Sequence, residues 1–250
     1  MSQVLPDLSI VIPAFNEERR LGRTLARIRD YFAVHPEAGE IEVIVVDDGS
    51  TDGTARVAQE WERQIPLLRT VSNEGNRGKG YSVRHGMLEA RGRIALFTDA
   101  DLSSPIEESE KLLAAVRAGN DVAIGSRALD RSLIEVHQSR LRELAGIIFN
   151  GFVRFFTGLP FADTQCGFKA FVRERSRIVF EQQRIERFGF DPEILFLARR
   201  HGLQTTEVPV RWAHDPATKV HVLRDSLVMF FDLLYVRWNA LTGRYPRERG

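Results

Sequence analysis

Two carboxylates are separated by one residue in the segment Asp99-Ala100-Asp101, directly after an apolar stretch of the chain. Carboxylates this close repel each other unless a cation or a shared proton relieves the repulsion. Oxygen ligands of this kind suit Mg²⁺ or Mn²⁺, and such ions often bridge to the phosphates of a substrate. The segment therefore predicts a divalent metal site that holds a diphosphate.

Polar segments also follow other apolar stretches of the first half, at residues 13–17, 47–50 and 125–127. Any one of them could be an ordinary helix cap, and Ser103 or Ser104 before Pro105 suits an N-cap with proline in the first turn. Capping does not account for carboxylates at both Asp99 and Asp101. The metal site remains the better explanation there.

A glycine-rich stretch occupies residues 75–80 and carries Arg77 and Lys79. It is not a Walker A loop, because Gly80 rather than Ser or Thr follows Lys79, and it does not match G-x-G-x-x-G. These differences disfavour an ATPase and a dinucleotide-binding protein. A loop that brings Lys79 to a nucleotide and an ordinary turn between strand and helix both remain open.

These segments must be positioned by the elements around them, and the first half alternates short apolar runs with amphipathic stretches. The runs at residues 8–12, 41–46, 67–71, 94–97 and 122–124 indicate strands, and residues 17–31, 53–61, 81–90 and 107–117 indicate helices. Such alternation predicts an α/β fold with a doubly wound, mainly parallel sheet through about residue 125. Ligands of such sheets bind at the carboxyl ends of the strands, where the polar segments lie.

Composition limits the class of protein. The chain has 250 residues, 43% of them hydrophobic, and a formal net charge of +1, so we expect a globular protein that does not bind nucleic acid. Its one cysteine, Cys166, excludes an internal disulfide and fits a reducing compartment. The sequence shows neither a zinc-binding Cys/His spacing nor a signal peptide nor a membrane span, and we expect a cytoplasmic protein.

Two apolar helices are predicted in the second half, over residues 141–159 and 227–238. The first is amphipathic and rich in phenylalanine, and the second is apolar almost all round. Packing in a core or a dimer is one explanation, and docking on a bilayer surface is the other. The sequence leaves the oligomeric state open.

The polar segments together resemble a known family. Their order and spacing are similar to those of family 2 glycosyltransferases with the GT-A fold: Pro13-Ala14-Phe15-Asn16-Glu17, Asp47-Asp48-Gly49-Ser50, Gly78-Lys79-Gly80, Asp99-Ala100-Asp101 and Gly125-Ser126-Arg127. Later segments resemble the dolichyl-phosphate β-glucosyltransferases within that family: residues 163–169, 188–191, 211–212 and 218–220. Mannosyl relatives usually carry Ser-Gly-Phe-Arg where this chain has Cys166-Gly167-Phe168-Lys169.

The resemblance implies inverting transfer of glucose from UDP-glucose to a polyprenyl monophosphate, with Mg²⁺ or Mn²⁺. Three alternatives stay open: a polyprenyl-phosphate mannosyltransferase, a family 2 enzyme with a soluble acceptor, and a nucleotide-sensing protein on a degenerate fold. We expect one GT-A domain over residues 1–243, with a nucleotide half at about 8–127, an acceptor half at about 128–243 and a basic tail at 244–250. Eukaryotic members carry an N-terminal membrane anchor, whereas this sequence begins almost directly at the first predicted strand. We therefore expect the apolar helices to attach the protein peripherally to the cytoplasmic face of a membrane.

The resemblance also implies residue roles. The nucleotide sugar would contact Pro13, Phe15, Glu17, Val46, Asp48, Lys79, Asp99, Ala100, Asp101 and Lys219, and the metal would bind Asp99, Asp101 and Ser103. The acceptor phosphate would contact Arg127, Arg140 and Arg142. Asp191 would bind sugar hydroxyls, with an N-cap role as the alternative; the catalytic set is Asp99, Asp101, Arg127 and Asp191. The loop before Lys219 departs from the family pattern, which leaves its diphosphate contacts open.

Overall fold

The computed structural model describes residues 5–214 and 222–246. Its first half has the predicted alternation of strands and helices. The strands are β1 (Leu8–Ala14), β2 (Ile41–Asp47), β3 (Leu68–Ser72), β4 (Ile94–Thr98) and β5 (Val122–Ser126). The helices are α1 (Glu18–Ala33), α2 (Thr54–Trp61), α3 (Lys79–Glu89) and α4 (Ser109–Arg117), so the predicted elements are confirmed within a few residues.

The second half continues with shorter strands and longer helices. Its strands are β6 (Ile134–Val136), β7 (Phe168–Val172), β8 (Thr205–Pro209) and β9 (Trp212–Ala213). Its helices are α5 (Arg140–Thr157), α6 (Arg173–Gln182), α7 (Phe190–Arg200) and α8 (Val222–Leu241). The two predicted apolar helices correspond to α5 and α8.

Within the described residues, seven strands form one sheet in the order β3-β2-β1-β4-β7-β5-β8. All neighbours are parallel except β7, which runs antiparallel between β4 and β5 and places Lys169 beside Phe97 and Ile124. The alternation alone did not predict this insertion. Side chains on both faces of the central strands are buried in two apolar clusters, as expected for a sheet covered by helices on both sides.

The turn after β4 differs from the cap that we considered. A short 3₁₀ helix, Ile106–Glu108, precedes α4, and its N-cap is Pro105 rather than Ser103 or Ser104. The Ser104 hydroxyl instead lies 3.6 Å from the buried Cys166 thiol. The capping explanation is therefore wrong for this turn.

The packed part of the chain extends past the predicted boundary at residue 243. Tyr245 is wholly buried, and its hydroxyl donates a hydrogen bond of 2.5 Å to Glu193 on α7. Burial, together with the Glu193 carboxylate, raises the pKa of Tyr245. Residue 245 therefore belongs to the core rather than to a basic tail.

Helices α5 and α8 pack against each other and leave apolar side chains on the surface. The rings of Phe152 and Phe156 on α5 meet Phe230 on α8 edge to face, at centroid distances of 5.3 and 5.6 Å. The exposed side chains of the pair are Leu141, Leu144, Ile147, Ile148, Phe152, Phe155, Leu227, Val228, Phe231, Leu234, Tyr235, Trp238 and Leu241, which we call the α5/α8 face. In the described part of the chain, no helix has the length and hydropathy needed to cross a membrane.

Candidate active site

A cleft of about 810 Å³ opens beyond the carboxyl ends of β4 and β5, between these strands and helices α5 and α8. Parallel strands that end at one edge bring their following residues together, which is why separate segments of the sequence meet here. Seven of the predicted site residues line the cleft: Lys79, Asp99, Asp101, Ser103, Arg127, Arg142 and Asp191.

The segment from Asp99 to Ser103 forms a tight turn at the end of β4. The Leu102 amide donates to the Asp99 carbonyl at 3.1 Å, and Leu102 has φ of 50°, a left-handed conformation that side-chain-bearing residues rarely adopt. The Ser103 amide donates to Asp101 Oδ1 at 2.9 Å. Strained backbone of this kind is concentrated at functional sites, and here it presents Asp99 and Asp101 to the cleft.

The charge on Asp101 is poorly compensated. Burial and the neighbouring Asp99 carboxylate raise the pKa of Asp101, against hydrogen bonds from Ser103 and an Arg20 guanidinium whose nearest atom is 3.9 Å away. A divalent cation would relieve this repulsion, and carboxylate and hydroxyl oxygens are suitable ligands for Mg²⁺ or Mn²⁺. The side chains of Asp99, Asp101 and Ser103 therefore fit such an ion.

Lys79 reaches the same wall from the start of α3. Its ammonium lies 2.6 Å from Asp99 Oδ1. Burial acts to lower the pKa of Lys79, but Asp99 and Asp191 outweigh burial and raise it, so this side chain carries a positive charge. Gly167 packs against the other side of Asp99, where a Cβ atom would overlap the carboxylate.

Asp48 anchors the glycine-rich loop. Its carboxylate accepts hydrogen bonds from the amides of Arg77 and Gly78, at 3.0 and 2.8 Å, and from the Asn73 side chain at 2.8 Å. Gly78 has φ of 108°, which requires glycine, and its Cα faces the backbone of Glu186 closely enough that a Cβ would clash. The structure thus uses Asp48 to fix the loop that carries Lys79.

A second lysine–carboxylate pair lies in the floor of the cleft. Lys169 on β7 is wholly buried, and its ammonium donates to Asp191 Oδ1 and to the Cys166 carbonyl, the latter at 2.6 Å. Burial raises the pKa of Asp191, while Lys169 and Lys79 oppose that rise. The alternative N-cap role for Asp191 is wrong, because α7 begins at Phe190 with Gly189 as its N-cap.

Arg127 follows β5 and forms a bidentate pair with Asp163. Its Nε and Nη2 lie 2.6 and 2.9 Å from the two carboxylate oxygens, and its guanidinium lies 5.3 Å from the centre of the Trp212 ring. Burial would raise the pKa of Asp163, but Arg127 outweighs it and lowers the value to about 2. Arg127 is therefore rigidly held beside the cleft, with Nη1 outside this pair.

Further arginines line the cleft from the acceptor half. Arg142 and Arg154 on α5 and Arg131 before β6 are among the lining residues, and Arg131 pairs with Glu143 at 2.5 Å. Arg140 is exposed and is not among the residues that line the cleft, so its contact with the acceptor phosphate stays a prediction. Successive helix residues are about 100° apart, so Arg140 and Arg142 point to nearly opposite sides of α5.

The residues predicted for the base and ribose lie near the end of β1 rather than in the cleft wall. Pro13 is paired with Val46 in the parallel ladder, and the Asp48 amide donates to the Ala14 carbonyl at 2.8 Å. Phe15 is half-buried beyond the strand end. The side chain of Val46 is wholly buried in the apolar core, so core packing, the alternative that we considered, describes it correctly.

Three other predicted positions have local partners or lie outside the description. Glu17 forms a bidentate pair with Arg20, at 2.7 and 2.8 Å. Ala100 is buried, and its carbonyl accepts a hydrogen bond of 2.6 Å from Thr24. Lys219 lies outside the described residues.

Sequence reasoning missed several residues of the cleft. Arg131 and Arg154 gave no signal, because single arginines in polar or amphipathic segments are common. Asp163 and Lys169 lie in a segment that was noticed only through its resemblance to the family. Their roles depend on β7, whose pairing joins residues that are far apart in the chain.

The comparisons with known proteins agree with this geometry. The family described as Glycosyl transferase family 2 matches residues 9–176. The dolichyl-phosphate beta-glucosyltransferase of Drosophila melanogaster is 37% identical over 252 residues, which cover 96% of this chain and 77% of that protein. The Homo sapiens protein of the same name is 34% identical over 257 residues, covering 97% of this chain and 78% of that protein.

A solved structure shares the fold. The glucosyl-3-phosphoglycerate synthase of Mycobacterium tuberculosis, crystallised with Mn²⁺, UDP and glucosyl-3-phosphoglycerate, superposes with a TM-score of 0.65 at 20% sequence identity. The match covers 98% of this chain and 82% of that one. The predicted GT-A fold is confirmed by this similarity.

Proposed function

Because the chain belongs to family 2 of the glycosyltransferases, we propose that it transfers glucose from UDP-glucose to a polyprenyl monophosphate such as dolichyl phosphate. The names of the similar proteins support a glucosyl group as the sugar that is transferred and dolichyl phosphate as its acceptor. The observation that carries the proposal is a charged cleft that opens onto the apolar α5/α8 face. A lipid phosphate needs both surfaces, side by side.

The donor half of the cleft suits a nucleoside diphosphate sugar. Asp99, Asp101 and Ser103 would hold Mg²⁺ or Mn²⁺, and this ion would neutralise charge that develops on the departing UDP. Lys79 would donate to the diphosphate. Pro13, Phe15 and the glycine-rich loop fixed by Asp48 would enclose the uridine at the end of β1 and β2.

The acceptor half supplies cations for a second phosphate. Arg127 and Arg142 would bind the acceptor phosphate, and Arg131 and Arg154 line the same cleft. Planar guanidinium groups bind phosphate oxygens through two parallel hydrogen bonds. This positive charge allows a phosphate acceptor to approach a donor that already carries two phosphates.

The reaction needs a nucleophile that is already charged. Each described carboxylate of the cleft has a partner: Asp99 with Lys79, Asp101 with Ser103, Glu143 with Arg131, Asp163 with Arg127, and Asp191 with Lys169. These carboxylates are engaged with a cationic side chain or a backbone amide, which favours an acceptor that needs no general base. A phosphate monoester, largely dianionic at neutral pH, requires no such base.

The bonds change in one displacement. An oxygen of the acceptor phosphate attacks the anomeric carbon from the face opposite UDP, while the bond to the UDP oxygen breaks and UDP leaves with the electron pair. The α-linked sugar thereby becomes a β-linked lipid phosphate. Asp191 would hold the sugar by accepting hydrogen bonds from its hydroxyls during this step.

The lipid chain of the acceptor requires an apolar environment beside the cleft. Ile147 of α5 is exposed on the α5/α8 face and also lines the cleft, and Met229 of α8 lines it as well. The charged pocket and the apolar face are therefore continuous. We propose that this face rests on the cytoplasmic surface of a membrane and that the polyprenyl chain stays in the bilayer.

A direct assay tests the proposed function. The purified protein is incubated with polyprenyl phosphate and Mg²⁺ or Mn²⁺, and with radiolabelled UDP-glucose, UDP-N-acetylglucosamine or GDP-mannose in parallel. Label in the lipid fraction only with UDP-glucose supports the proposal. Label only with GDP-mannose would identify a mannosyltransferase, and transfer to a soluble acceptor with an essential base in the pH–rate profile would contradict the lipid acceptor.

A further inference from the structure

We propose that Lys169 is a positioning residue for the donor sugar, which fixes the Asp191 carboxylate at the cleft wall so that it accepts hydrogen bonds from sugar hydroxyls. This inference rests on the proposed function and specifies how its sugar subsite is built. Neither the family match nor the names of the similar proteins assign a role to this lysine.

The burial of Lys169 has no obvious structural purpose. The side chain lies in the middle of the sheet on β7, and its ammonium lies 5.3 Å from the centre of the Phe97 ring. An apolar residue of similar length would fill the same space, and replacing a buried ion pair by apolar residues is often neutral or stabilising. A lysine here therefore indicates that the charge is required by something outside the core.

The contacts of the ammonium point to the cleft. Its two oxygen partners are Asp191 Oδ1 and the Cys166 carbonyl, and Asp191 is the partner that lines the cleft. A carboxylate accepts about four hydrogen bonds, and Lys169 occupies only one carboxylate oxygen. Asp191 Oδ2 is not part of this pair, and hydroxyl groups of a sugar are suitable donors to it.

The same short segment supports both carboxylates of the donor wall. Gly167 packs directly against Asp99, and Lys169 binds Asp191 from below. Both carboxylates stabilise the positive charge of Lys79, since Asp99 and Asp191 each raise its pKa. The start of β7 thus sets the relative position of the group that would hold the metal and the group that would hold the sugar.

A carboxylate held in a fixed position as a hydrogen-bond acceptor makes the sugar subsite selective. A buried polar group that is left without its hydrogen-bond partner is strongly disfavoured, so such a site discriminates against sugars that lack the matching hydroxyl. The Lys169–Asp191 pair should therefore contribute to recognition of the sugar and not to recognition of UDP.

The experiment compares Lys169→Met, Asp191→Asn and the double variant. Two quantities are measured for each protein: kcat/KM for UDP-glucose at saturating polyprenyl phosphate, and the Kd of UDP by calorimetry. We expect each single variant to lose about 10- to 100-fold in kcat/KM, the range for a hydrogen bond to a charged group, with the Kd of UDP unchanged. The double variant should lose no more than Asp191→Asn alone, because Lys169 acts through Asp191.

Tyr245→Phe is the matched control. It removes a buried hydrogen bond to Glu193, a carboxylate on the same helix as Asp191. It should lower the melting temperature and leave kcat/KM and the Kd of UDP near the wild-type values. A purely structural role for Lys169 would give the same pattern as this control.

Three results would overturn the inference: a wild-type kcat/KM in Lys169→Met, an equal loss of affinity for UDP, or independent losses that multiply in the double variant. If Lys169→Met does not fold, Lys169→Gln, which removes the charge but keeps a polar side chain beside Asp191, is compared with the wild type by the same two quantities. Failure of the wild-type protein to bind UDP or to turn over UDP-glucose would overturn the proposed function itself.

Discussion

The α5/α8 face gives a quantitative prediction for membrane binding. Phe155, Phe231 and Trp238 are 81%, 64% and 58% exposed, which together amount to about two fully exposed aromatic residues. Complete burial of a large apolar side chain contributes about 1.5 to 3 kcal/mol. Transfer of the three rings into a bilayer would therefore contribute about 3 to 6 kcal/mol, or roughly 10²- to 10⁴-fold in the binding constant for vesicles.

The perturbation is the triple substitution of Phe155, Phe231 and Trp238 by alanine. Phe152 and Phe156 stay unchanged, because their rings pack against Phe230 and contribute to the fold. The binding constant is measured by flotation with vesicles of anionic and neutral phospholipid, and stability is measured by a thermal melt in buffer. We expect binding to fall by the factor given above and the melting temperature to stay near that of the wild type.

Two controls define the result. Val34→Ala/Leu67→Ala removes exposed apolar side chains elsewhere on the surface and should leave vesicle binding unchanged. Phe149→Ala removes a buried ring of α5 and should lower the free energy of unfolding by about 3 to 5 kcal/mol. Wild-type vesicle binding by the triple variant would refute the docking face, and a large fall in its melting temperature would show that the rings are packed in solution.

Three further predictions concern the site and the fold. Asp101→Ala should lower kcat at least about 100-fold without a lower melting temperature, because the loss of the metal site leaves the core intact; turnover at the wild-type rate with saturating Mn²⁺ would contradict the metal assignment. Arg142→Ala should raise the KM for polyprenyl phosphate about 10- to 100-fold and leave that for UDP-glucose unchanged, and equal effects on both would move Arg142 to the donor site. Asp232 lies on α8, and burial raises the pKa of its carboxyl group to about 6. The stability that this shift contributes is complete below the unfolded pKa near 4 and is lost as the pH rises through 6. The melting temperature of the wild type relative to Asp232→Asn should therefore fall between pH 4.5 and pH 7, and a constant difference would refute this assignment.

The nucleotide half was predictable because its signals are local. Apolar runs such as residues 41–46 are bounded by turn residues, and the carboxylates Asp99 and Asp101 follow directly from the end of β4. The rule that ligands bind at the carboxyl ends of parallel strands then places the site. No side-chain contact had to be known for this step.

The acceptor half was less predictable because its geometry depends on long-range pairing. The position of β7 between β4 and β5 joins Phe97 to Lys169, and local periodicity contains no information on such a pair. The Arg127–Asp163 pair also joins residues that are far apart in the sequence, and it depends on the same placement of β7. Arg140 and Arg142 show a further difficulty: two residues so spaced on a helix point to nearly opposite sides, and the sequence does not fix which side faces the cleft.

The insertion of β7 also bears on how this enzyme can be recombined with its relatives. A junction near residue 127 would separate β5 from β7, the strand through which β5 is joined to β4. A chimera cut there must rebuild three strand interfaces, β4–β7, β5–β7 and β5–β8, between sequences that did not evolve together. Residues 163–172 carry β7 together with Asp163, Gly167 and Lys169, so this segment is the natural unit to exchange. Exchange of this segment should therefore change the sugar preference and the position of Arg127 together rather than independently.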